Sequence, residues 1–115
     1  MLLICYKKCT TCRKLEKILQ EKNVEYEYRQ IDQENPTAKE LKVWHKKTDL
    51  DIINFFNTRG KIYRELNLKE KLPQMSLEEK YEILATDGML VKRPILLNDD
   101  QVYVGPEVTE FIENI

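Results

Sequence analysis

Leu2-Leu3-Ile4-Cys5-Tyr6-Lys7-Lys8-Cys9-Thr10-Thr11-Cys12-Arg13 carries an apolar run into an amphipathic one through a C-x-x-C spacing. Leu2 to Tyr6 reads as a short buried strand, with Cys5 as an inert core side chain. From Cys12 the period changes. Cys12, Leu15, Ile18 and Leu19 fall on one face of a helix running to Lys22, which Thr10 or Thr11 is placed to cap and Asn23 to end in a left-handed conformation. Val24 to Ile31 alternates apolar or aromatic with charged residues, which predicts a strand with Val24, Tyr26 and Tyr28 on one face. Strand, helix and strand at this spacing predict a right-handed βαβ unit with parallel strands.

Further on, Asn35-Pro36-Thr37 opens a helix with a Thr37/Glu40 capping box and a buried face at Leu41 and Trp44. Thr48 to Asp51 starts another, leading to Ile52, Ile53, Phe55 and Phe56. Asn57 to Gly60 breaks the chain before one or two helical turns over Ile62 to Leu68. Ser76 and Glu79 form a second capping box, followed by a Leu77, Tyr81, Leu84 stripe and a stop at Asp87-Gly88. After Arg93-Pro94, Ile95 to Leu97 and Val102 to Val104 flank a polar turn and predict an antiparallel hairpin. Gly105-Pro106-Glu107 starts a final helix with Val108, Phe111 and Ile112 inward. The order predicts an α/β fold: a mixed four-stranded sheet in the thioredoxin-like (glutaredoxin-like) arrangement, with a helical insertion, forming one domain over residues 1–115.

The 115 residues suit a single core, and 34% charged residues give a well-solvated surface. A net charge of −1, with lysine and arginine scattered among acids, argues against direct nucleic-acid binding. No apolar run approaches the ~20 residues that cross a bilayer, and the N-terminus lacks a signal pattern. The protein is therefore expected to be cytosolic and off the membrane. A disulfide scaffold is not expected in that compartment, so a C-x-x-C there reads as catalytic, redox-sensing or metal-binding. Zinc fails on ligand count. A structural site takes four ligands, and beyond Cys9 and Cys12 the chain offers only Cys5 and its sole histidine, His45, which reads as a surface residue.

Residues three apart at a first helical turn have Cα atoms close enough for a disulfide, so Cys9 and Cys12 are expected to cycle between dithiol and disulfide. Cys9 precedes the helix, where free backbone N–H groups favour a thiolate and Lys7, Lys8 and Arg13 add positive charge. Cys9 is thus the expected nucleophile and Cys12 the resolving thiol. In thioredoxin-like folds a proline opens the strand that faces the redox pair; at that place here Arg93 is expected to support the thiolate or hold an anionic substrate, with Arg13, Arg59 and Pro94 as further candidate binding residues.

Cys9-Thr-Thr-Cys12-Arg13-Lys14, Thr58-Arg59-Gly60-Lys61-x-Tyr63-Arg64-x-Leu66-Asn67 and Gly88-x-Leu90-x-Lys92-Arg93-Pro94-Ile95 together resemble the arsenate reductase/Spx family over essentially the whole chain. The resemblance implies a thioredoxin-like fold and a cis Arg93-Pro94 bond. It implies two activities. In glutaredoxin-linked arsenate reduction, the catalytic cysteine matches Cys9 and three arginines hold the oxyanion. Only Arg93 keeps its place here: Asn57 and Gly105 stand at the other two positions, and Arg59 lies two residues beyond the first. Losing two charge-assisted forks weighs against true arsenate reduction. In Spx, a C-x-x-C pair matching Cys9 and Cys12 is a disulfide switch on a regulator that binds the α subunit of RNA polymerase. The resulting expectation is a thiol–disulfide oxidoreductase without a bound cofactor, drawing electrons from thioredoxin or from glutathione and glutaredoxin. The alternative is a redox-sensing regulator that contacts the polymerase α C-terminal domain.

Overall fold

The computed structural model describes residues 1–115. Its sheet has the order β2-β1-β3-β4, from β1 (Leu2–Cys5), β2 (Glu27–Gln30), β3 (Ile95–Asn98) and β4 (Gln101–Val104). β1 runs parallel to β2, pairing Leu3 with Tyr28 and Cys5 with Gln30, and antiparallel to β3, pairing Leu3 with Leu96. The β3–β4 hairpin closes through Asp99 in the left-handed region (φ 53°), which suits a tight connection between twisted strands. This is the mixed four-stranded, thioredoxin-like sheet that the sequence predicts.

Helices α1 (Thr10–Glu21) and α6 (Pro106–Glu113) cover one face. On that side Leu3, Cys5 and Leu96 of the strands pack against Cys12, Leu15 and Leu19 of α1 and Val108 and Ile112 of α6. The insertion covers the other face: α2 (Ala38–Lys46), a 3-10 turn at Ile52–Phe55, α3 (Lys61–Glu65), α4 (Leu68–Lys71) and α5 (Leu77–Leu84). Ile4 and Ile95 meet Leu41, Phe55, Phe56, Tyr81 and Leu84 there. Alternation along β1 and β3 therefore divides the core in two, and it sends Cys5 toward α1.

Local signals set most element ends. Thr37/Glu40 and Ser76/Glu79 both form complete capping boxes. Asn23 adopts φ 56° just past α1. Three expectations change. The N-cap of α1 is Cys9, with no side-chain cap, so neither threonine fills that role. Leu77 is 44% exposed, leaving Tyr81 and Leu84 as the buried stripe of α5. Asp87 caps a further 3-10 turn at Gly88–Leu90 instead of closing α5.

His45 is also not a free surface residue. Its Nε2 donates to the Leu50 carbonyl at 2.8 Å, which leaves Nδ1 to accept from the Tyr81 hydroxyl at 2.6 Å. At the far end of α1, Lys22 Nζ donates to the carbonyls of Ile112, Glu113 and Ile115 at 3.1, 2.7 and 2.9 Å, tying the last turn of α6 to α1. No helix is long and apolar enough to cross a membrane.

Candidate thiol site

The three cysteines meet where β1 feeds α1. Cys12 is the first core-facing residue of α1 and Cys5 the last of β1. Both are fully buried, and they are joined as a disulfide with Cα atoms 5.8 Å apart. The bridge expected between Cys9 and Cys12 is therefore not the one present: Cys12 is bonded to Cys5, and Cys9 is the free, half-buried thiol. Cys5 is correspondingly not an inert core residue. The physical reason is periodicity. Helical spacing turns Cys12 down onto the sheet with Leu15 and Leu19, and strand alternation brings Cys5 up to meet it.

Tyr6 knits this junction together. Its carbonyl accepts from the Cys9 N–H at 2.9 Å, and its N–H donates to Cys12 Sγ at 3.4 Å. Its ring lies 5.3 Å from the guanidinium carbon of Arg93, a cation–π contact. Arg93 Nη1 also reaches the carbonyls of Met89 and Val91 at 3.4 Å, while its buried Nε has no partner. The Arg93–Pro94 bond is cis, as the resemblance implies. Arg13 Nε donates to the Lys7 carbonyl at 2.8 Å and closes the Lys7–Arg13 loop on itself. Arg59 is exposed in the turn before α3, apart from this network.

Two further side chains join the site, Tyr28 unforeseen and Asn57 foreseen only as the place of a missing arginine. Tyr28, on the neighbouring strand, packs against the cysteine cluster and carries the Lys7 ammonium 3.9 Å above its ring. Asn57 donates from Nδ2 to the same Met89 carbonyl that Arg93 reaches, so position 57 adjoins Arg93. Beside the site lies an open cleft of about 540 Å³ between the start of α1, the β3 entry and α6. Thr11 lines it from the start of α1, Lys92 and Arg93 from the β3 entry, and Glu110 and Glu113 from α6. The chain gathers no group of three His, Cys, Asp or Glu side chains able to hold a metal.

The chain is similar to known proteins in sequence and in fold. The ArsC family model matches residues 5–113. The chain belongs to the ArsC family. YusI of Bacillus subtilis, an uncharacterized protein, is 49% identical over 109 residues, covering 95% of this chain and 92% of YusI. The global transcriptional regulator Spx of Staphylococcus epidermidis is 35% identical over 97 residues, covering 84% of this chain and 72% of Spx. The crystal structure of an ArsC family related protein from Bacteroides fragilis superposes with a TM-score of 0.87 at 45% identity, covering 96% of this chain and 95% of that one. The relatives thus include one named as a transcriptional regulator, Spx, and a solved structure from Streptococcus mutans named as a possible arsenate reductase, 38% identical with a TM-score of 0.84, covering 91% of this chain and 89% of that one.

Proposed function

We propose that this ArsC-family chain is a cytosolic thiol–disulfide redox protein in which Cys9 attacks and Cys12 resolves. The observation that carries it is the contrast at one helix start: Cys9 is a free, half-buried thiol at the N-cap of α1, and Cys12, one turn on, is engaged in a disulfide. Cys9 attacks a substrate disulfide and displaces one thiolate. Cys12 then attacks the Cys9 sulfur and releases the other. Arg93, stacked beside Tyr6, supplies the positive charge that steadies an anionic group of the substrate. The adjacent cleft, with Lys92 and Arg93 opposing Glu110 and Glu113, offers charges of both signs to an extended zwitterionic thiol such as glutathione. The electron donor in this reading is glutathione or a thioredoxin-type protein.

Arsenate is a poor fit. Asn57 is neutral and donates inward to Met89. Gly105 has φ 64°, and a Cβ there would stand 3.3 Å from Lys92, so an arginine at that position would be strained. The test is turnover of a model disulfide with thioredoxin or glutathione as donor. Cys9→Ser should abolish it and Cys12→Ser should accumulate a mixed disulfide on Cys9. Absence of turnover with either donor overturns the proposal.

A second reading has support from the relatives named as regulators, Spx and, at 31% identity over 108 residues, MgsR of Bacillus subtilis. In it, the same change of state alters a surface offered to the RNA polymerase α C-terminal domain. Binding measured with reduced and oxidised protein decides the point, and no binding in either state removes this reading.

A further inference from the structure

We propose that Cys5 is a third redox-active residue, which takes over the disulfide from a Cys9–Cys12 bridge by internal exchange and returns Cys9 to the free thiol. The inference rests on the thiol–disulfide reading above and adds a step to it. Cys5 and Cys12 have no exposed surface, whereas Cys9 is half-exposed. A substrate disulfide therefore reaches Cys9 and not the sulfurs that are found bonded. A route through Cys9 accounts for how a buried pair becomes oxidised by a bulky partner. Cys12 lies within bonding range of both alternatives: its Cα is 5.8 Å from that of Cys5, and Cys9 packs on the same cluster one helical turn before it. The Tyr6 N–H, 3.4 Å from Cys12 Sγ, is a fixed donor at the sulfur on which the two exchanges converge.

The steps balance. Cys9 thiolate attacks RS–SR′, forming Cys9–S–SR and releasing R′S⁻. Cys12 attacks Cys9 Sγ, forming Cys9–Cys12 and releasing RS⁻. Cys5 then attacks Cys12 Sγ, forming Cys5–Cys12, and its proton passes to the departing Cys9 sulfur. The net change is oxidation of the Cys5 and Cys12 thiols and reduction of RS–SR′ to two thiols, with Cys9 regenerated. Reduction retraces the path: Cys9 attacks Cys12 Sγ and returns the bridge to the surface, where an external thiol opens it.

Lysines 7 and 8 allow a direct test, because trypsin separates Met1–Lys7 from Cys9–Arg13. The reduced protein is treated with oxidised glutathione, quenched in acid, alkylated with N-ethylmaleimide, digested and mapped by mass spectrometry. The expected product is Met1–Lys7 cross-linked through Cys12 to Cys9–Arg13, with the label on Cys9. A Cys9–Arg13 peptide closed on itself, with Cys5 labelled, overturns the inference and leaves the redox function standing. No disulfide of any kind overturns both. In Cys9→Ser, formation of the Cys5–Cys12 bridge should slow by about tenfold or more; formation at the wild-type rate means direct oxidation and sinks the relay. In Cys5→Ala, oxidised protein should lose the Cys9 labelling that oxidised wild type retains.

Discussion

Tyr28 holds a buried hydroxyl without a hydrogen-bond partner, directly beside the thiol site. Burial pushes its phenol up to about 12, and the charges of Glu16 and then Cys9 push the same way. A raised value means the folded chain keeps this proton after the unfolded chain, at about 10, has lost it. Any stability linked to it is complete below pH ~10 and is lost as pH rises toward 12. Tyr28→Phe removes a polar atom that nothing satisfies, so it should leave stability unchanged or raise it by about 1 kcal/mol. The same variant should delete the last-ionising tyrosine from an alkaline absorbance titration. Loss of more than ~1 kcal/mol in a urea melt would show that the hydroxyl has a partner in solution. Gly105 is the converse case. At φ 64° and ψ −129° its backbone suits glycine alone, so Gly105→Ala should cost roughly 1–3 kcal/mol, read as a drop in the urea midpoint.

Helix α2 shows how one side chain serves two purposes. Glu40 completes the capping box with Thr37 and also takes a fork from Arg29, at 2.7 and 2.9 Å. Arg29's hydrogen bonds, aided by the Thr37 N–H, hold the Glu40 carboxyl below the usual carboxylate range despite partial burial. A depressed value places this stabilisation at pH above ~4.3, to be lost as pH falls through the lowered titration. Glu40→Gln should therefore flatten the acid limb of a stability–pH profile, and an unchanged limb would remove the assignment. Thr37→Ala should cost about 1 kcal/mol in thermal or urea unfolding. Both capping boxes were legible in the sequence because each is settled within four residues. Leu77 was not: it shares a helix face with Tyr81 and Leu84, but it is the first residue of α5, and whether that end is covered depends on how far the body of the insertion reaches. Cys9 as the uncapped start of α1 likewise follows from how β1 turns into the helix, not from the threonines beside it.

Across the whole molecule, strand alternation and helix period were enough to read the order of elements and the mixed sheet. They did not reveal which face of β1 receives α1. That choice puts Cys5 under Cys12, and two cysteines seven residues apart on different elements meet only once the chain is folded. The Cys9, Cys12 and Arg93-Pro94 segments stood out because their spacing is local, whereas Tyr6, Tyr28 and Asn57 join the site through the sheet and the insertion. The Cys5–Cys12 bond closes a short loop, so oxidation should raise stability by roughly 2 kcal/mol, a Tm increase of about 8 °C for a chain of this length. Equal melting of oxidised and reduced protein would show that the loop is already ordered when unfolded. The Lys22 clasp on the end of α6 has a practical corollary. α1 has 12 residues, so the clasp stands roughly 18 Å from Cys9 along the helix. A bead or fluorophore attached through Ile115 would be held at the Lys22 end of α1, about one helix length from the reactive sulfur. Immobilised that way, the molecule keeps that distance between its point of attachment and the thiol it offers to a lysate.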